Sequence, residues 1–302
     1  MKKDLLTLRD LTKDDMVAII KRGKEIKKGS LKNLKPLEGK TIGLIFDKAS
    51  TRTRISFEAA IHKLGGDTIF LATSDTQIAR GEPMKDTARV LSSYLDGLIV
   101  RTYSHEQLEK MAEWSSIPVI NALTDLYHPC QVLSDLMTIQ ETKGALDNLR
   151  LAWIGDGNNV ANSWINAATI LKFDLTMACP EGYLPNPDIL ANASGNVKLV
   201  NAPAKAVSNA TIIYTDVWAS MGKEDEKEQR IKDFDGWQVN QSLIDLAHKD
   251  AMVMHCLPAH RGEEITDEAM EGPRSLIFAQ AENKLYVHQA ILEMMIKTQK
   301  TH

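Results

Sequence analysis

Apolar positions along the chain come in short unbroken runs separated by helical stripes. The run from Thr41 to Asp47 reads as a buried strand, and Phe57, Ala59, Ala60, Ile61 and Leu64 mark a helix that begins near Thr51 and stops at Gly65 and Gly66. The rhythm continues with strands expected near 67–71, 97–101 and 117–121 and helices near 52–64, 84–95 and 105–114. Ahead of them a helix starts on Thr12 as N-cap and runs to Gly29, with Asp15 in its first turn and Met16, Ile19, Ile20 and Ile26 on one face. Strand-helix alternation of this kind specifies a parallel sheet.

A long helix from Pro129 to about Lys143 follows, and then the alternation restarts. Leu151 to Ile154, a helix from about Asn159, Leu175 to Ala178, Thr211 to Thr215 and the strand-like Ala251 to Met254 make a second unit. The expected fold class is α/β, with two domains, each a parallel sheet flanked by helices, joined by long interdomain helices. The boundary is expected at Gly144 to Arg150. Residues 1–143, completed by a C-terminal helix within 282–302, then form one domain and 150–275 the other. That last helix spans about Glu282 to Lys300 and carries Leu285, Ile291, Leu292, Met295 and Ile296. The mixed-charge run Lys223 to Arg230 reads as a solvated loop or helix face.

Composition narrows the function. The 302 residues leave room for about two domains. Lys and Arg total 36 against 40 Asp and Glu, a net charge of -4, which gives no general attraction to nucleic acid or membrane surfaces. The arginines must therefore be read locally. The N-terminus has no apolar core of signal length, and no run approaches the ~20 apolar residues of a membrane span, so a cytoplasmic protein is expected. Cys130, Cys179 and Cys256 are odd in number and lack C-x-x-C spacing, which argues against a disulfide framework and a structural zinc site.

Ser50, Thr51, Arg52, Thr53 and Arg54 place two guanidiniums and three hydroxyls where a strand hands over to a helix. Free N–H groups and the positive dipole end face the same point, so this segment suits a phosphate. Arg101 ends the run Gly97 to Val100 at the sheet edge where ligands of open α/β sheets sit, so three guanidiniums are expected to converge there. His128 and Gln131, around Pro129 and Cys130, open the next helix at that edge and can donate to a carbonyl oxygen gaining negative charge, while Cys130 reads as a small buried residue. His255 to Gly262 follows a strand. Cys256 there, if beside cations, would have a depressed pKa and could accept a proton; a metal is disfavoured because no helical His spacing or carboxylate ligand accompanies it. Gly155, Asp156 and Gly157 form part of a dinucleotide fingerprint, but Val160 stands where its third glycine belongs. Asp216 and Ser220, after another strand, offer an acid and a hydroxyl to an ammonium group.

Ser50 to Arg54, His128 to Gln131, Asp216 with Ser220 to Gly222, and His255 to Pro258 together resemble the aspartate/ornithine carbamoyltransferase family, on its ornithine-using side, over nearly the whole chain. The resemblance implies transfer of the carbamoyl group of carbamoyl phosphate to the δ-amine of L-ornithine, giving L-citrulline and phosphate in arginine metabolism, with biosynthesis the expected use. It implies that Ser50, Thr51, Arg52, Thr53, Gln77, Arg101, His128, Gln131, Cys256, Leu257 and Lys284 hold carbamoyl phosphate, Gln77 reaching into a neighbouring subunit of a trimer. Lys284 stands where many relatives carry arginine. Asn159, Asp216, Ser220 and Met221 would hold ornithine, and Arg101, His128 and Cys256 would serve the chemistry, without cofactor or metal. A nucleotide-dependent oxidoreductase, a non-catalytic sensor of a phosphorylated metabolite, and the same transfer to another amine such as putrescine are the competing readings.

Overall fold

The first helix, α1 (Lys13–Lys27), is set by a reciprocal cap: the Thr12 hydroxyl accepts from the Asp15 N–H at 3.1 Å and the Asp15 carboxylate accepts from the Thr12 N–H at 3.0 Å. Its buried face carries Met16, Ile19, Ile20 and Ile26, as the pattern requires. The computed structural model describes residues 1–30, 35–47, 50–72, 81–219 and 224–296. It divides into two units, Met1–Met137 with Glu282–His302, and Thr138–Ala281.

In the first unit β1 (Thr41–Phe46), α2 (Arg52–Lys63), β2 (Asp67–Ala72), α3 (Met84–Tyr94), β3 (Gly97–Arg101), α4 (His105–Trp114) and β4 (Val119–Leu123) follow in turn, and α5 (Pro129–Lys143) begins there. The sheet is parallel in the order β2-β1-β3-β4. All five residues of β3 are buried, which explains an unbroken apolar run instead of an alternating one. Ile45, Leu98, Val100, Leu108, Met111 and Val119 share its core. β4 begins two residues later than expected. Pro118 has no N–H for the ladder, although its carbonyl accepts from Leu98 at 2.8 Å. Leu5 pairs beside Ile120, so the chain's first residues cover that edge.

The second unit contains β5 (Arg150–Ile154), α6 (Asn159–Leu171), β6 (Asp174–Ala178), α7 (Pro187–Ala191), β7 (Val197–Val200), α8 (Pro203–Val207), β8 (Ile212–Thr215), α9 (Lys227–Asp233), α10 (Gln241–Ile244), β9 (Met252–His255) and α11 (Asp267–Glu271). Its parallel order is β7-β6-β5-β8-β9. Ala152, Ile154, Ile213, Val253 and Ile265 lie in its core. The edge strand β7 has no fully buried residue, and Lys198 interrupts its apolar Val197, Leu199 and Val200 within a run of only four.

The last helix, α12 (Ile277–Ile296), starts five residues before the expected Glu282, where the Ser275 hydroxyl accepts the Ile277 N–H. The described part of the charged run forms a turn and the start of α9, and Asp225, Glu226, Glu228 and Gln229 are exposed as a solvated helix face should be; Arg230 departs from that expectation, only 3% exposed. No helix among the described residues is long and apolar enough to cross a membrane.

Replacing Thr12 with alanine removes one half of the α1 cap and is expected to lower stability by about 1 kcal/mol. Urea unfolding measures this; an unchanged midpoint would show that the cap adds nothing.

Candidate active site

In the first unit the strand order reverses between β1 and β3, the place where helices leave a crevice at the strand ends. The Asp47 N–H donates to the Arg101 carbonyl at 2.8 Å and holds the two strand ends side by side. Past β1 the chain reaches Ser50 and Thr51, and α2 begins. Thr51 is the N-cap, yet its side chain makes no capping bond, so the first N–H groups of α2 keep their positive end free of that competitor.

Thr53, 3% exposed, sits in the first turn of α2, and its hydroxyl accepts from the Lys284 ammonium at 3.1 Å. The same ammonium donates to Gln131 Oε1 at 2.9 Å, and Gln131 Nε2 donates to Asp135 at 2.8 Å. Lys284 is itself 3% exposed and Arg101 7%. His128 is buried, and its pKa lies well below the usual histidine value, first because burial disfavours charge and then because Lys284, Arg101 and His288 repel a further proton. Thr53, Arg101, His128, Gln131 and Lys284 thus come together, with Ser50, Thr51 and Arg52 at the more exposed helix start.

Arg54 does not join them. Its Nε donates to Glu58 at 2.9 Å and its guanidinium lies 3.4 Å from the Phe70 ring centre, because residues two apart on a helix face different sides. The expected convergence of three guanidiniums therefore loses Arg54. Cys130 is a packing residue, its thiol donating to the Asn121 carbonyl and its pKa pushed up to about 12 by burial. Sequence reasoning missed His288, one turn beyond Lys284. Its ring stacks on Phe57 with 3.6 Å between centres and meets the Ser56 hydroxyl at 3.0 Å, contacts on the second turn of α2.

The second unit repeats the device, with its reversal between β5 and β8. Asn158 caps α6 through Oδ1, which accepts from Val160 and Ala161, and its Nδ2 donates to Asp216 Oδ2 at 2.7 Å. Asp216 Oδ1 accepts from the Val217 N–H at 2.9 Å and from the Cys256 thiol at 3.0 Å. The expected cationic setting of Cys256 is thus replaced by a carboxylate partner, and sulfur is the donor. Asn159 is the first residue of α6; its neighbour Asn158 makes the link to Asp216, a role its N-cap position could have signalled. Gly157 owes its place to packing: a Cβ there would lie 2.1 Å from the Pro185 nitrogen. That gives its glycine a reason independent of any nucleotide.

His255, fully buried, closes β9. Its Nδ1 accepts from the Leu257 N–H at 2.9 Å, which puts the ring proton on Nε2, 3.0 Å from the buried Glu264 carboxylate. Leu257 takes a left-handed φ of 60° in this turn. Asp216, His255 and Cys256 bring ligand-type atoms within 4.8 Å of one another, but both His255 nitrogens already serve the loop. Gln77, Ser220 and Met221 lie outside the described residues.

Comparison with known proteins agrees in both units. The family model for the carbamoyl-P binding domain of aspartate/ornithine carbamoyltransferase matches residues 3–141, and that for its Asp/Orn binding domain matches 147–295. The ornithine carbamoyltransferase of Syntrophus aciditrophicus is 53% identical over 302 residues, covering 98% of this chain and 100% of that one. Among solved structures, ornithine carbamoyltransferase from Pyrococcus furiosus superposes with a TM-score of 0.94 at 45% identity, covering 98% of each chain. The anabolic ornithine carbamoyltransferase of Campylobacter jejuni gives 0.92 at 41% identity, covering 99% of this chain and 100% of that one.

His128 and His288 both have pKa values well below normal, burial being the largest cause. Below about pH 6.5 the unfolded chain binds protons that the folded chain refuses, so stability must fall as pH drops through that value. Urea midpoints between pH 7.5 and 5.5 are expected to decline, and less steeply in His288→Gln. An identical slope in the variant would contradict the assignment.

Proposed function

Because the chain belongs to the aspartate/ornithine carbamoyltransferase family and is an enzyme of carbamoyl transfer, we propose that its first unit binds carbamoyl phosphate and its second L-ornithine, yielding L-citrulline and phosphate. The observation that carries this reading is the junction of Lys284 with Thr53 and Gln131 at the start of α2, beside Arg101 and a neutral His128. Ser50, Thr51, Arg52 and Thr53 receive the phosphoryl oxygens at the positive helix end. Arg101 and His128 donate to the carbamoyl oxygen as it gains charge. A neutral imidazole can do this without first losing a proton.

The δ-nitrogen lone pair forms the new bond to the carbamoyl carbon, the bond from that carbon to the bridging oxygen breaks, phosphate leaves with the electron pair toward Arg52, and the proton that the nitrogen sheds goes to the departing phosphate. An alkyl amine with a pKa near lysine's ~10.4 costs about 4–5 kcal/mol to deprotonate at pH 7. Asp216 supplies the anion that draws the ammonium in, and Cys256, whose thiol donates to it at 3.0 Å, relays the proton by giving its own to the Asp216 carboxylate as it takes one from the ammonium. Leu257 completes this loop. Asn159, Ser220 and Met221 hold the amino-acid end, a reading supported by the motif to which they belong.

The family's ornithine-using members support ornithine over aspartate or putrescine, and the anabolic C. jejuni relative supports biosynthetic use. A cytoplasmic, trimer-based assembly with Gln77 completing a neighbour's site fits the exposure of Ile55 on α2 and of Ile69 and Phe70 on the edge strand β2. Light scattering of the purified protein measures the assembly.

Citrulline assays with ornithine, putrescine and aspartate in parallel should give product from ornithine alone. Asp216→Asn is expected to raise the ornithine KM about 100-fold and leave the carbamoyl phosphate KM within about threefold. Equal changes in both constants would remove Asp216 from the ornithine site.

A further inference from the structure

The charge run that the sequence marks as a solvated face hides one buried guanidinium. Arg230 Nη1 donates to the Trp218 carbonyl at 2.6 Å and to Asp156 Oδ2 at 3.2 Å, and Nε donates to Glu226 at 2.8 Å. Tyr183 covers the guanidinium, its ring centre 4.7 Å away. Below it Phe234, fully buried, stacks with Trp218 at 5.4 Å and packs on Tyr183 at 4.8 Å.

The partners of Arg230 have a common location. Asp156 leaves the end of β5 two residues before Asn158, and Trp218 leaves the end of β8 two residues after Asp216. Asn158 and Asp216 are bonded to each other at 2.7 Å. One guanidinium therefore ties together the two strand-end loops that flank the crevice, one step behind the groups that face it. Asp156 is 6% exposed, so loss of Arg230 would take a cationic partner from a buried carboxylate and push that loop to rearrange.

We propose that Arg230 is a positioning residue for the acceptor substrate: by clamping Asp156 to Trp218 it sets the separation of Asn158 and Asp216, and with it the aim of the Asp216 carboxylate. The assignment rests on the ornithine reading of the second unit. Arg230 touches no substrate itself. Lysine is a poor replacement, because a single ammonium lacks the planar fork that serves Trp218, Asp156 and Glu226 together.

The test uses full-length Arg230→Met, Arg230→Lys and Asp156→Asn with two readouts. The first is the pair of KM values; the second is the alkylation rate of Cys256 by iodoacetamide, which reports on the Asp216 contact because Cys130 and Cys179 are buried. Arg230→Met is expected to raise the ornithine KM at least about tenfold, to hold the carbamoyl phosphate KM within about threefold and to speed Cys256 alkylation about tenfold. Arg230→Lys should recover part of each effect. The double variant Arg230→Met with Asp156→Asn should be no worse than Arg230→Met alone, since the buried charge that Arg230 balances is removed with it. Folded variants with unchanged ornithine KM and alkylation rate would overturn the proposal, as would equal rises in both KM values. If Arg230→Met does not fold, the same comparison on Arg230→Lys and Asp156→Asn decides. If the unmodified protein makes no citrulline, the ornithine reading fails, and the alkylation rates still decide whether Arg230 sets the Asp216 geometry.

Discussion

A parallel sheet wound outward from its middle must reverse direction once, and where it does so the helices part and leave a crevice at the strand ends. Both units of this protein obey that constraint, with reversals between β1 and β3 and between β5 and β8. The residues proposed for the chemistry gather at the strand ends, at or beside each unit's reversal. In the first, the crevice is lined by the start of α2 and the end of β3; in the second, by the loops that carry Asn158 and Asp216.

What fills the two crevices differs in sign. The first gathers the uncapped start of α2 with the buried cations Arg101 and Lys284, and their field is strong enough to help keep His128 neutral. Such a site favours a compact dianion and offers its carbonyl hydrogen-bond donors that need no proton loss. The second centres on a carboxylate that accepts from Asn158, Val217 and Cys256. Fixed donors keep Asp216 aimed, and the remaining negative charge suits a cationic amine. The proposed substrates, an anionic carbamoyl donor and a cationic amino acid, match these signs.

Much of this was legible in the residues because local chemistry decided it. The Thr12 cap, the start of α2 and the whole of α5 follow from capping residues, proline and periodicity. Strand β7 escaped because its apolar residues are few and broken by Lys198, and the start of α12 because the Ser275 hydroxyl takes its first N–H ahead of the stripe used to find it. The site was harder. Arg54 and Arg52 look equivalent in a string of letters, and only the helical rotation sends Arg54 to Glu58 and Phe70. Arg230 looked solvated because a charge run does not reveal which face tertiary packing will bury. Asn158 was passed over because Asn159 was named from the resemblance alone, while the N-cap position one residue earlier was not weighed.

The central claim is that the first crevice is a dianion site built from the start of α2, Arg101 and Lys284. Anomalous diffraction from crystals soaked in arsenate, a heavy phosphate mimic, tests it most directly. The account predicts an arsenic peak with oxygens about 3 Å from the first-turn amides of α2 and from the Arg101 guanidinium. Arsenate bound only at surface lysines, with the start of α2 left empty at saturating concentration, would contradict it.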